Sequence, residues 1–227
     1  RSPTSHAPAA SRMVWIYAQG AERPITEPLV FRPGAAEIAS FFYDLQKRRL
    51  LIGIFLSSAV LSTPDKTMQL LIDAAKILRT QYRYRGFIHL KIIPGCSLSA
   101  IDEALLYASA LSLNIEVPSA DHFCQLSATQ DYGRDIMERL RYIASQTAVG
   151  TRHEHVGVSS QFIVGASDED DRQILSAVND LYGTMGISRV YYSAYQRGLG
   201  ERGIPGEQGR VIEPDLFGNE TSSAPLV

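Results

Sequence analysis

Polar side chains able to do chemistry gather where apolar runs end: Ser57 and Ser58; His89 and Lys91; Asn114 and Glu116; Ser159, Ser160 and Gln161; and Tyr192, Ser193 and Tyr195. Several of them interrupt segments that otherwise read as buried strands. Burying an amide or carboxylate without a partner costs on the order of several kcal/mol, so these residues imply an internal polar network or a bound polar ligand. Alternate residues of a strand share a face, which points His89 and Lys91 the same way and does the same for Asn114 and Glu116. The pattern pairs donors with acceptors. One reading is a structural salt bridge between Lys91 and Glu116. A second is a ligand with an amino-acid-like end and a ribose, whose charged groups need opposite partners and whose hydroxyls need Asn, Ser or Glu. A third is a nucleophilic Lys91 that forms a Schiff base with a carbonyl substrate. His153 and His155 have a spacing that binds metal on a strand, but Arg152 and Glu154 beside them mark an exposed loop, so no metal site is assigned.

The elements that must position these residues alternate between helical and strand periodicity from about Pro33 onward, which favours parallel βαβ units. A helix over 34–48 precedes the unbroken apolar run 51–56, as in a strand covered on both faces. Pro64 and Asp65 open a second helix, with Met68, Leu71, Ile72, Ala75 and Leu78 at helical spacing. Further strands are predicted over 87–93, 111–117, 160–164 and 188–194. Helices are predicted from Ser97 or Ser99 to about Ala110, near 121–126, over 134–145, and from an acidic start at 168–171 that suits a helix dipole. The fold class is therefore α/β, a partial TIM-like (β/α) barrel with chemistry at the C-terminal strand ends. A doubly wound open sheet is the rival, but no G-x-G-x-x-G or phosphate-loop pattern occurs. Residues 1–33 read as an irregular leader, 34–197 as the partial barrel and 198–227 as a loop-rich tail.

Composition limits the function classes. The 227 residues carry a formal net charge of −2, which supplies no field to attract nucleic acid. Lys47-Arg48-Arg49 and the stretch from Arg79 to Arg85 lie near predicted helix ends, as solvated faces do. Two cysteines, Cys96 and Cys124, follow no zinc or redox spacing, and a cytoplasmic location is expected. No apolar run reaches the roughly 18 residues of a membrane span, so no membrane partner is expected.

Five ordered blocks resemble one known family, the DNA modification and repair radical S-adenosylmethionine (SAM) proteins, between about Phe31 and Tyr195. They are Gly53-Ile54-Phe55-Leu56-Ser57-Ser58 with Thr63-Pro64-Asp65-Lys66-Thr67-Met68; Gly86-Phe87-Ile88-His89-Leu90-Lys91-Ile92-Ile93-Pro94-Gly95; Leu113-Asn114-Ile115-Glu116-Val117-Pro118; Gly157 to Ala166; and Arg189-Val190-Tyr191-Tyr192-Ser193-Ala194-Tyr195. The resemblance implies a radical SAM partial barrel, of which these strands are the second to the sixth. It implies SAM as cofactor, with a [4Fe–4S] cluster held by a Cys-x-x-x-Cys-x-x-Cys motif after the first strand. Here the apolar stretch 13–18 imitates a strand at that place but is followed by Gln19-Gly20-Ala21 and no cysteine. By resemblance, Ser57 and Ser58 meet the SAM amino group, Asn114 and Glu116 the ribose and carboxylate, and Gly165 packs against adenine. His89, Lys91, Ser160, Gln161 and Tyr192 line the substrate cavity. Nucleic acid and an electron donor are the implied partners. The absent motif, and the absence of the region relatives carry after the sixth strand, point to a fragment, a misread gene start or a degenerate paralogue. A cluster-free lyase using Lys91 and a non-catalytic SAM-binding module are the alternatives.

Overall fold

The structure, a computed structural model, describes residues 14–18, 33–60, 62–197 and 203–208. Most helix starts follow from local capping. Thr63 accepts a hydrogen bond from the Lys66 amide at 3.2 Å, and Pro64 occupies the first turn of α2 (Pro64–Thr80). Ser97 does the same for the Ala100 amide at the head of α3 (Leu98–Leu105). Asp170 and Gln173 exchange side-chain-to-backbone bonds of 2.8 Å each and start α6 (Asp171–Gly183). The acidic run therefore caps the helix rather than lying inside it. Before α2, α1 (Ala35–Lys47) buries Ile38, Ala39 and Phe42.

Six strands form one sheet in sequential order: β1 (Val14–Ala18), β2 (Gly53–Ser58), β3 (Phe87–Lys91), β4 (Ala110–Ser112), β5 (Gly157–Val164) and β6 (Arg189–Ala194). From β2 to β6 every pairing is parallel. β1 runs antiparallel to β2, with Trp15 opposite Ser57. The strand expected from the apolar stretch 13–18 thus forms, but its direction excludes it from being the first unit of a parallel series. Because parallel crossovers are right-handed and the strand order never reverses, the crossover helices lie on one face of the sheet. The doubly wound rival requires a reversal and is not seen. On that face Ile54, Leu56, Ile88, Leu90, Leu111 and Val158 pack against Met68, Leu71, Ile72, Leu78 and Ile101, all 3% exposed or less.

Several elements differ from the sequence expectation. The helix predicted to about Ala110 ends at Leu105, and a short helix, Pro205–Gln208, lies in the predicted loop-rich tail. The strand predicted over 111–117 is regular only at Ala110–Ser112, because an extra residue further on breaks its ladder with β5. The helix predicted over 134–145 begins instead as a π-helix, Tyr132–Glu138, continuing as α5 (Arg139–Thr147). Long-range contacts accompany its wider winding. The Asp135 carbonyl accepts from the Gly95 amide at 3.0 Å, and Arg139 Nε donates to the Cys96 carbonyl at 2.9 Å, so the helix start is tied to the β3–α3 loop.

Arg79 is the main exception to the solvated reading of the basic clusters. Its guanidinium donates to the carbonyls of Tyr107, Tyr84 and Gly86 and to Ser109 Oγ, at 2.7 to 3.0 Å. Ser109 Oγ in turn accepts from the Ile88 amide at 3.2 Å. One planar fork thereby fastens α2 to the chain entering β3 and β4. Replacing Arg79 with Ala should cost on the order of 3 kcal/mol in urea unfolding, and Arg79→Lys most of that, since an ammonium cannot reproduce the fork. A wild-type midpoint for Arg79→Lys would contradict this role.

Candidate functional site

Strand register assembles the site on the face away from the crossover helices. Phe55, His89, Ala110 and Gly157 stand in one row across β2 to β5. Two residues further along each strand, Ser57, Lys91, Ser112 and Ser159 form the next row, and Ser159 pairs with Arg189 of β6. This second row lies toward the C-terminal strand ends, where a parallel sheet exposes its loops. Ser112 and Ser159 are only 7% and 8% exposed, while Ser57 and Lys91 are half-buried and Arg189 is exposed, so the row is enclosed at its centre and open at its ends.

In this row and the one beside it, two buried side-chain atoms, His89 Nε2 and Glu116 Oε2, have no hydrogen-bond partner among the described residues. His89 lies edge-on to Phe55, ring centroids 4.6 Å apart, and to Phe87 at 6.3 Å. Desolvation, reinforced by the nearby Lys91 ammonium, depresses its pKa to about 4, leaving a neutral imidazole at pH 7. Burial raises the Glu116 pKa, while Lys91 and the Asn114 amide pull it back. An ammonium, a carboxyl group and a neutral imidazole thus lie close together on this face of the sheet. Asn114, 9% exposed, belongs with them.

The backbone at Glu116 is irregular. It has φ +65°, rare for a residue with a Cβ. In the ladder with β5, Leu113 donates to the Ser159 carbonyl, and the next donor to the Gln161 carbonyl is Glu116 rather than Ile115. One extra residue is accommodated, a β-bulge. The surplus Ile115 amide donates to Ser160 Oγ at 3.1 Å, and Ser160 Oγ donates to the Leu113 carbonyl at 2.9 Å.

Of the residues expected from sequence, Ser57, His89, Lys91, Asn114 and Glu116 come together, with Gln161 beside them on the same parity as Ser159. Ser160 does not join them. It is 1% exposed on the opposite face, and its hydroxyl is used by the bulge. Tyr192 is also on the helix side, paired and stacked with Phe162 at 6.0 Å, so Tyr191, opposite Gln161, occupies the parity assigned to it. Ser58 alternates away from Ser57, and its hydroxyl donates to the Ala59 carbonyl at 2.8 Å. Gly165 ends β5 at φ +82°, its amide donating to Glu169 Oε1 at 2.7 Å. A Cβ built on Gly165 would meet nothing within 4 Å, so space is open above it.

Ser112 and Tyr191 are the site residues that sequence reasoning missed. Counting alternation from the buried Leu111 and Val190 would have found both. His122 was missed as well. Its Nδ1 lies 3.0 Å from Asp168 Oδ1, which also accepts from Gln125 Nε2 at 2.7 Å. Beside it, on the helix side, a cleft of about 510 Å³ is lined by Ile115, Tyr132, Met137, Arg141, Asp180 and Met185.

His155 is exposed in a turn with His153, as the loop reading requires. Cys96 is buried, its thiol pKa pushed up to about 12 by desolvation and by Asp65, while Cys124 is exposed. Among the described residues no group of three or more His, Cys, Asp or Glu is placed to hold a metal ion. No described helix is long and apolar enough to cross a membrane. No protein-family model matches the chain, and no curated protein matches it.

The lowered His89 pKa has a consequence for stability. Between the unfolded value of 6.5 and about 4, the unfolded chain binds the proton that the folded chain refuses, so this contribution to stability falls with acidification through that window and levels off below it. Glu116, raised, contributes the opposite slope above its unfolded value. Compared with His89→Phe, wild type should therefore lose roughly 3 kcal/mol more of urea stability between pH 7 and pH 4. Parallel stability curves for the two proteins would show that His89 titrates normally.

Proposed function

We propose that the chain carries a radical SAM-type partial barrel whose polar row binds S-adenosylmethionine. The observation that carries this reading is the pair of orphaned buried atoms, His89 Nε2 and Glu116 Oε2, grouped with Lys91 on the sheet face away from the crossover helices. Buried polar groups without partners are the mark of a site made for a polar ligand. The one-directional winding of β2 to β6 and the five sequence blocks support the same reading.

The residues present fit SAM. The Lys91 ammonium suits the ligand carboxylate, Glu116 its amino group or ribose hydroxyls, and Asn114, Ser57, Ser112 and Ser159 supply neutral hydrogen bonds. The open space above Gly165 can take a flat ring that a side chain would exclude. When bound, SAM supplies an activated sulfonium. The [4Fe–4S] cluster does not fit, because three thiolates are needed and this sequence contains two cysteines, one of them buried with its thiol held protonated. These residues therefore account for holding and orienting SAM and for excluding water from it. The role of the resembled family is reductive SAM cleavage in the modification or repair of DNA or other nucleic acid, with nucleic acid and an electron donor as partners and the cytoplasm as location, and these residues do not supply the cluster which that reaction needs.

A second reading, a Schiff-base lyase, is favoured by the position of Lys91 between a neutral imidazole and a carboxyl group of raised pKa, both suited to moving a proton at a carbinolamine.

Titration calorimetry separates the two. SAM should bind wild type, and Lys91→Met and Glu116→Gln should each weaken it by about tenfold or more, while Ser58→Ala leaves it unchanged. An absence of binding heat for wild type would sink the SAM reading. A borohydride-trapped carbonyl adduct that Lys91→Met abolishes would establish the lyase.

A further inference from the structure

We propose that the cleft on the helix side, between the π-helical segment Tyr132–Glu138 and α6, binds a free amino acid whose apolar side chain ends in a hydroxyl or N–H donor. It lies across the sheet from the polar row and is independent of the function proposed above. His122 lines this cleft with only 9% of its side chain exposed. Asp168 Oδ1 lies 3.0 Å from His122 Nδ1 and 2.7 Å from Gln125 Nε2. These bonds, the one from Gln125 above all, hold the Asp168 carboxyl below its ordinary pKa, so at pH 7 it is a carboxylate that only accepts. His122 Nδ1 therefore carries a proton, and in the neutral ring Nε2 is the acceptor. Nε2 makes no hydrogen bond among the described residues, yet the buried unpartnered atoms there are His89 Nε2, Glu116 Oε2 and Gln125 Oε1. It is thus open to solvent, and the opening available to so enclosed a ring is the cleft it lines. A latch between residues 120–123 and the β5–α6 loop would be served by the bond at Nδ1 alone. An imidazole whose tautomer is fixed by a carboxylate offers, in addition, one oriented acceptor to a bound molecule.

The walls define what that molecule carries besides a donor. Arg141 of α5 and Asp180 of α6 both line the cleft, both are exposed, and no ion pair joins them among the described residues. Arg141 stands close enough to the Tyr132 hydroxyl to oppose the rise in pKa that burial gives it. Two unpaired opposite charges at one cleft suit a zwitterion, with its carboxylate on Arg141 and its ammonium on Asp180. Met137 on one wall and Leu181 and Met185 on the other supply apolar surface for the side chain, and methionine sulfur adapts well to aromatic edges. The wall that carries Met137 is π-helical, a winding frequent at functional sites. The volume, about 510 Å³, falls within the range of small-molecule sites and admits a molecule the size of tyrosine.

L-Tyrosine is the probe, titrated into the full chain labelled with nitrogen-15 and followed through the imidazole signals of His122. These are assigned with His122→Gln or, should that variant fail to fold, by elimination after replacing the other four histidines singly. The free protein should show the tautomer protonated at Nδ1, and L-tyrosine should shift His122 Nε2 in a saturable way. L-Phenylalanine lacks the donor, tyramine the carboxylate and 3-(4-hydroxyphenyl)propionate the ammonium, and each should bind at least tenfold more weakly. Arg141→Met and Asp180→Asn, both at exposed positions, should each weaken L-tyrosine by about tenfold, and Arg141→Met should no longer distinguish it from tyramine. The wild-type His122 signal decides the matter without any variant at the cleft. No saturable shift at millimolar L-tyrosine, or equal binding of the three analogues, overturns the proposal. A shift at His89 with none at His122 would place the amino acid in the polar row and overturns it equally.

Discussion

A parallel sheet wound in one direction covers one face with helices and leaves the other to be filled by its own side chains or by something bound, and the rest of this structure depends on that constraint. The helix side is mostly apolar, from Ile54 and Leu56 to Val158 and Val190, with Ser160 and Tyr192 as its polar members. On the other side a lysine, a histidine, a glutamate, an asparagine and serines occupy the rows. A sheet filling that space for stability alone would place branched aliphatic side chains there, as layered barrel interiors do. Polar groups in their place cost desolvation that only a partner can return, and two of their atoms have none among the described residues.

The charge arrangement inside this row is self-limiting. Lys91 lowers the pKa of His89, which keeps the imidazole neutral and confines positive charge to the ammonium. The same lysine works against the desolvation of Glu116. Had His89 been charged as well, two cations would face one carboxyl group in a poorly solvated space. The aromatic edges of Phe55 and Phe87 around the imidazole enforce the neutral form by excluding water. Polar groups at the site are thus set by apolar neighbours one row below.

Much of this was legible in the sequence, and the parts that were not share a physical cause. Periodicity located β2, β3, β5 and β6 and the long helices to within a few residues, because apolar runs such as 51–56 and 87–93 have no other stable placement. Alternation brought His89 to Lys91 correctly, since β3 is regular between them. Asn114 and Glu116 also face one group, as alternation expects, although nothing in the composition of Leu113 to Val117 announces the left-handed residue or the extra residue in the ladder. Ser160 and Tyr192 were assigned to the cavity by the family resemblance, whereas the parity of Phe162 and Val190 places both on the helix side. The π-helical start before α5 depends on Gly95 and Cys96, some 40 residues earlier, and no local pattern could encode it. His122 lacked any signal, because its partner Asp168 belongs to a distant loop.

A left-handed backbone and an unpaired carboxyl oxygen coincide at Glu116, and that coincidence bears on whether the row is a site or a flaw in packing. A left-handed, buried glutamate bears two costs, the backbone conformation and the desolvated carboxyl group. Exchanging it for glycine would relieve the first and remove the second, so nothing in the folding of the chain requires a glutamate there. The contacts on either side, from Gln161, Ile163 and Ser160, nevertheless hold it in place. Several groups cooperating to keep one unfavourable side chain aimed at a lysine and an unpartnered imidazole make sense if the gain is realised outside the empty protein, when a ligand completes the hydrogen bonds that Glu116 Oε2 and His89 Nε2 lack.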